Sequence, residues 1–244
     1  LVGFFQLSWQ GTAFTSAGPV FIVGLALLIL VSPKDTNKNI GGKKRGMDKR
    51  QYMAGLIALI KSRAILGLSA MAAFRTSALF VIFFALPLYL VDNLGLSEKA
   101  QGLAMAMMQV GGFVTGPLAG TWSDRIGRRP IVIGGLSVIT IAIVCLTIIS
   151  DAVIFVAGIT ILGFALYAIR PVTQAWMMDL APQQHGASAA SVMFAMQSAW
   201  TPVLVLASGF VADKYGLIYV FYLVAASMLM ANIVAYFLPS GKNP

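Results

Sequence analysis

Residues 116–130 read GPLAGTWSDRIGRRP, and this stretch decides how the rest of the chain is interpreted. Within it, four charged residues occupy six consecutive positions: Asp124, Arg125, Arg128 and Arg129. Gly127 lies among them and suits a sharp turn, while Pro130 follows at a position where a helix can begin. The spacing therefore predicts a charged turn between two helices.

The composition is that of an integral membrane protein. Of the 244 residues, 59% are hydrophobic and 10% charged, with a mean hydropathy of +0.86, whereas soluble domains carry about 25% charged residues. The net charge of +9 is gathered into short stretches between long apolar runs, which is typical of cytoplasmic loops and not of a nucleic-acid-binding surface. The single cysteine, Cys145, lies in an apolar run and predicts neither an intrachain disulfide nor a metal site.

Seven apolar runs approach the length of about 20 residues that a helix needs to span a bilayer. They are residues 14–31, 64–91, 98–121, 130–149, 153–179, 187–211 and 216–239. The sequence thus predicts an all-α integral membrane protein with about seven transmembrane helices. Because it begins LVGFFQLSWQG, without a methionine or a signal peptide, we expect a fragment of a longer chain.

Basic residues predict the orientation. The segment 32–63 carries nine Lys and Arg residues against two Asp, so the positive-inside rule predicts that it is cytoplasmic. Alternation of the spans then gives thirteen basic loop residues inside and two, Lys99 and Lys214, outside. Binding of anionic lipid by the same basic segment is an alternative use of these charges.

Glycines recur every four residues before the charged turn, at Gly112, Gly116 and Gly120. Such a stripe leaves one helix face without side chains, so a neighbouring helix is expected to pack closely along it.

The turn carries the pattern G-x-x-x-D-R-x-G-R-R, made by Gly120, Asp124, Arg125, Gly127, Arg128 and Arg129. This pattern resembles the signature of the major facilitator superfamily, which lies between the second and third helices of each six-helix half.

Other segments also resemble turns of this family. The external turn before the last helix of a half resembles GFVADKYGLIYVF (209–221), and LSWQGTAFTSAGPVF (7–21) is a weaker version of it. DLAPQQHGASAAS (179–191) resembles the cytoplasmic turn between the tenth and eleventh helices, but Gln184 and His185 stand where the family commonly has a charge, which weakens an electrostatic role.

The resemblance implies a domain organisation: residues 1–33 end the N-terminal half, 34–63 form a basic cytoplasmic linker, and 64–244 form the C-terminal six-helix half. By the same resemblance, we expect five further helices of the N-terminal half to precede this sequence. The family implies a secondary transporter in the inner (plasma) membrane that uses no cofactor and moves a small molecule by alternating access. In the family the turn latches the opposite half, which implies this role for Asp124 and Arg128, with the absent fifth helix as partner.

Two arginines fall inside predicted spans, where a charge costs about 2.5–3.5 kcal/mol and tends to face a cavity. Arg75 lies about 18 Å along its helix from Arg63, and Arg170 about 14 Å from Asp179, so the two can share a depth. The resemblance implies that both helices line the substrate cavity. We therefore expect an anionic substrate group, although pairing with an acid of the missing half, or snorkelling to the interface, would also satisfy either arginine.

Tyr167, Arg170 and Gln174 stand at i, i+3 and i+7 and predict one polar stripe, with Pro171 able to kink the helix. Gln109 completes the predicted substrate site, and Gln197 and Trp200 are weaker candidates. Asn232 is expected to face lipid-side neighbours. No Asp or Glu lies in the middle of a span, so the sequence predicts no proton-coupling carboxylate here.

Other functions are less well supported. The sequence lacks G-x-x-x-x-G-K-[ST], H-E-x-x-H and G-x-S-x-G in a strand-turn-helix context, which argues against an enzyme. A seven-span receptor or structural membrane protein would leave the turn pattern unexplained. Within transport, the arginines favour an organic anion, whereas the apolar remainder also suits efflux of hydrophobic drugs.

The predicted topology can be tested with single cysteines in a Cys145→Ser background. Cysteines near Asn93 and Asp151 should react with an impermeant thiol reagent added outside sealed cells, and cysteines at Lys44 and Arg128 should not. Labelling at Lys44 or Arg128 would contradict the orientation.

Overall fold

A computed structural model describes residues 21–22, 25, 59–149, 151–182 and 185–239, and at Phe113 it describes the backbone alone. The chain divides into two compact units, 1–54 and 55–244, and nearly all described residues belong to the second. All but three residues of the predicted first span, 14–31, and most of the predicted linker, 34–63, lie outside the described residues.

The second unit contains six long helices among its described residues. They are α1 (Arg63–Asp92), α2 (Glu98–Ile126), α3 (Arg128–Leu146), α4 (Ala152–Leu180), α5 (Gly186–Tyr215) and α6 (Leu217–Tyr236). All six are long and apolar enough to cross a bilayer. The all-α membrane fold is confirmed, and each helix overlaps one of the last six predicted spans. The main difference is that α2 continues through Asp124 and Arg125, beyond the predicted limit at 121.

Local sequence explains where the helices begin and end. The carboxylate of Asp151 accepts hydrogen bonds of 2.9 Å from the amides of Val153 and Ile154, which caps α4. Gly127 alone separates α2 from α3, and its φ of 103° lies in a region that side chains disfavour. The predicted sharp turn therefore consists of a single residue.

Helices α2 and α4 pack with their backbones close together. A Cβ atom at Gly163 would lie 2.2 Å from the carbonyl oxygen of Met108, and one at Gly112 would lie 2.4 Å from the Tyr167 ring. At Gly116 and Gly120, in contrast, an added Cβ atom would meet no heavy atom of the described residues within 4 Å. The predicted glycine stripe thus contacts its neighbour only at Gly112, because four residues exceed one helical turn of 3.6 and the stripe rotates away.

Polar and aromatic contacts join the other helices. Tyr89 stacks on Phe155 with ring centroids 5.1 Å apart and meets Phe221 edge-on at the same distance, which ties α1, α4 and α6 together. The Asn232 amide donates a 2.7 Å hydrogen bond to the Ser137 hydroxyl between α6 and α3. Asn232, expected to face lipid-side neighbours, thus has a specific partner on α3, because an amide in hydrocarbon is more stable with a hydrogen-bond partner on the neighbouring helix.

The α2–α4 contact gives a stability prediction. Gly163→Ala should lower the thermal unfolding temperature of the purified protein and cost about 1–3 kcal/mol, because the new methyl group would push against the Met108 carbonyl. Gly134→Ala is the matched control, since its Cβ would meet no described atom within 4 Å and alanine favours the helix. Equal unfolding temperatures for the two variants would contradict the close contact.

Candidate functional site

Four helices, α1, α2, α4 and α5, surround a cavity of about 710 Å³. A volume of this size falls within the usual range for small-molecule sites, about 300–1,000 Å³. The lining combines basic, neutral polar and apolar side chains: Arg75, Thr76, Leu79, Phe80, Phe83, Gln109, Tyr167, Arg170, Phe194, Gln197, Ser198, Thr201 and Pro202. No Asp or Glu is among these residues, so the cavity is positively charged.

Arg75 lies on α1 and is buried, with 4% of its surface exposed. One terminal nitrogen, Nη1, donates a 3.2 Å hydrogen bond to the Leu166 carbonyl of α4, and Nη2 donates a 3.1 Å bond to the Thr76 hydroxyl. Its Nε is buried and has no hydrogen-bond partner among the described residues. Both acceptors are neutral, so they orient the guanidinium without neutralising its charge.

Neutral polar groups join α1 to α5 beside Arg75. The Thr76 hydroxyl donates to the Gln197 amide oxygen over 3.2 Å, and the Ser77 and Thr201 hydroxyls lie 3.1 Å apart. Gln197 is one of the weaker predicted candidates, and Thr76 is not among the predicted site residues. The sequence indicates these residues only weakly, because Thr, Ser and Gln in a span often hydrogen-bond to the backbone of their own helix and line no site.

The predicted stripe on α4 is divided between two spaces. Tyr167 and Arg170 line the main cavity, whereas Gln174 lines an adjoining chamber of about 10 Å³ together with Arg75 and Arg170. Arg170 is exposed and has no hydrogen-bond or ion-pair partner in the part of the chain that the structure describes. Helix α4 runs through Pro171 without ending there. Arg75 and Arg170, the two arginines that the sequence places within spans, therefore line the same cavity.

Two further predicted positions differ in their outcome. Gln109 lines the main cavity from α2. Trp200 is not among the lining residues and instead packs edge-on against Phe74, with ring centroids 5.2 Å apart.

The charged turn forms a second polar cluster, centred on Arg128. Its guanidinium lies 2.5 Å from the Asp124 carboxylate, 3.2 Å from the Asp179 carboxylate and 2.5 Å from the Ser123 hydroxyl. Arg128 is mostly buried, so this network holds the α2–α3 turn against the end of α4. Asp179 is the first residue of the segment 179–191, for which the sequence only weakly supports an electrostatic role. Its ion pair with Arg128 gives this segment such a role.

The remaining residues of the turn make different contacts. Arg129 donates to the Tyr236 carbonyl, and its guanidinium carbon lies 5.7 Å from the centre of the Tyr236 ring. Arg125 is exposed and has no described partner, and Gly120 is half-buried with open space beside it. Only Asp124 and Arg128 of the predicted latch residues therefore pair with each other.

Comparison with known proteins identifies the family. The sequence matches the family model described as Major Facilitator Superfamily over residues 68–244. It is 24% identical over 168 residues to Multidrug resistance protein 2 of Bacillus subtilis (strain 168), a match that covers 66% of this chain and 42% of that protein. It is 29% identical over 166 residues to Inner membrane transport protein YajR of Escherichia coli (strain K12), covering 67% and 36%.

The fold agrees with a solved transporter structure. The proton:xylose symporter XylE, solved with bound 6-bromo-6-deoxy-D-glucose, superposes with a TM-score of 0.59 at 18% identity, over 79% of this chain and 46% of that one. The chain thus spans less than half the length of the relatives it matches. The family match, the turn signature and the fold agree, and the chain belongs to the major facilitator superfamily.

Proposed function

We propose that this chain forms the C-terminal half of a secondary transporter that moves a small organic anion by alternating access. The observation that carries the proposal is the cavity of about 710 Å³, which Arg75 and Arg170 line and to which no described carboxylate contributes. An N-terminal six-helix half would close the open side of this cavity. The name of the Escherichia coli relative, Inner membrane transport protein YajR, supports a location in the inner (plasma) membrane.

The depth of the two arginines supports a substrate site. Arg75 is twelve residues from the start of α1, and Arg170 is ten residues from the end of α4, so each lies about 15–18 Å from the charged-turn end of the bundle. Transporters of this architecture bind their solutes near the midplane of the bilayer, between the two halves. A solute at Arg170 would therefore be placed where both halves can contact it.

The chemistry of Arg170 supports an anion. A guanidinium presents a planar fork of donors that matches a carboxylate or phosphate. Arg170 has no described partner, and an uncompensated charge at this depth is costly. An anionic solute would satisfy both its charge and its donors.

Efflux of hydrophobic compounds is a second candidate. Phe80, Phe83 and Phe194 line the same cavity, and one relative is named Multidrug resistance protein 2. This candidate requires binding that tolerates the loss of Arg170, whereas anion transport does not.

Substitution of Arg170 tests the proposal. In the complete protein, Arg170→Gln should abolish binding of organic anions, and Arg170→Lys should weaken it, because lysine keeps the charge but loses the fork. Ligand-induced thermal stabilisation of the purified protein is the measurement. Arg63→Gln, which removes an exposed arginine at the start of α1, is the control.

Two results would oppose anion binding at Arg170. Undiminished binding of hydrophobic cations in Arg170→Gln, without anion binding in the wild type, would favour drug efflux. Restoration of Arg170→Gln by neutralising an acidic residue of the N-terminal half would make the arginine a structural ion-pair partner.

The charged turn is proposed to act as a conformational latch with the opposite half. Asp124→Asn should slow transport with little effect on abundance, because it weakens charge-assisted contacts made in only one of two states. Asp92→Asn, an exposed carboxylate at the other end of the bundle, is the control. Transport in proteoliposomes equal to wild type for Asp124→Asn would reduce the turn to a topological role.

A further inference from the structure

The charge balance of the cavity indicates how many negative charges its solute carries. We propose that the solute is a dianion, either a dicarboxylate or a phosphate monoester, whose two charges are shared between Arg75 and Arg170. This inference rests on the proposed transport function and adds the substrate class to it. It depends on the contacts of Arg75, which differ from those of Arg170.

Arg75 is a buried cation that the described protein orients but does not neutralise. Its two terminal nitrogens donate to the Leu166 carbonyl and the Thr76 hydroxyl, both of which are neutral. Its Nε is buried and unpartnered, and no described carboxylate lies within 4.0 Å of its nitrogens. Arg75, with 4% of its surface exposed, therefore carries a positive charge that water reaches poorly.

Arg170 differs because it is exposed to the cavity and has no described partner at all. Arg75 and Arg170 both line the 710 Å³ cavity and the chamber of about 10 Å³ beside it. That chamber has room for about one water molecule, so both side chains border the same small space as well as the main cavity. An anionic solute in the main cavity can therefore contact both.

Two neighbouring cations in a low-dielectric site repel each other, and one negative charge balances only one of them. A monoanion at Arg170 would leave Arg75 buried and uncompensated, which is the costly arrangement. A second carboxylate, or the second charge of a phosphate group, removes this cost. The chemistry shared by both solute types is two negative charges within reach of two guanidinium groups.

Matched pairs of solutes test the number of charges in the complete protein. The probes are succinate and monomethyl succinate, phthalate and monomethyl phthalate, and phenyl phosphate and methyl phenyl phosphate. Within each pair the methyl ester removes one charge and changes the body of the molecule little. Affinities are measured by isothermal titration on the purified, detergent-solubilised protein, and the pairs separate dicarboxylates from phosphate monoesters.

We expect at least one dianion to bind about tenfold or more tightly than its ester, since its second charge adds a charge-assisted hydrogen bond to Arg75. Arg75→Gln should reduce this ratio to near one by weakening only the dianion, and Arg75→Lys should retain part of it. Arg170→Gln should abolish binding of both members of the pair. Arg63→Gln should leave the ratio unchanged.

The outcomes separate this inference from the proposed function. If esters and dianions bind equally in every pair, or if Arg75→Gln weakens both members equally, the dianion assignment is wrong and anion transport remains. Binding of no member of any pair would overturn both. If Arg75→Gln unfolds the protein and neutralising an acid of the N-terminal half restores it, the protein itself balances Arg75, and the dianion assignment also fails. Arg75→Lys keeps the test decisive when the glutamine variant does not fold.

Discussion

Within the hydrocarbon of a bilayer, every backbone amide and carbonyl must find its hydrogen-bond partner inside the protein, and this constraint governs the structure of the chain. The described spans meet it as long helices that continue through Pro87, Pro117, Pro171 and Pro202. Many side-chain hydroxyl groups also find a partner locally, because they donate to the carbonyl four residues earlier in the same helix. Examples are Thr140 to Leu136, Thr160 to Val156 and Thr173 to Ile169.

Against this background, the polar groups that reach between helices are informative. Arg75 cannot satisfy its donors within α1 alone and reaches the Leu166 carbonyl of α4. Thr76 and Ser77 connect α1 to α5 in the same region. These contacts fix three walls of the cavity around Arg75, and they do so with neutral partners. The cavity consequently keeps its positive charge, which agrees with the proposed anion site.

The charged turn and the cavity are connected through α4. Its end carries Asp179, which pairs with Arg128, and its middle carries Arg170, which lines the cavity. Under the proposed mechanism, a movement of the turn would be passed along one continuous helix to the substrate site. The close approach of α2 and α4 at Gly163 would make the two helices move together.

The sequence by itself determined the six described helices, the position of the turn and the arginines within the spans. Each of these follows from local properties: the length of an apolar run, the cost of a charge in hydrocarbon, and the backbone freedom of Gly127. The predicted end of α2 differs from the observed one by only a few residues. The sequence assigns Asp124 and Arg125 to a turn, whereas helices tolerate charges where they leave the membrane.

Only the tertiary structure decided which residues meet. It brought Arg75 and Arg170 to one cavity, paired Asp179 with Arg128, and turned Asn232 toward Ser137. It also left Gly116 and Gly120 facing open space and Trp200 outside the cavity lining. These outcomes depend on the rotation and crossing of each helix, which the packing of the whole bundle sets and which no local pattern of residues specifies.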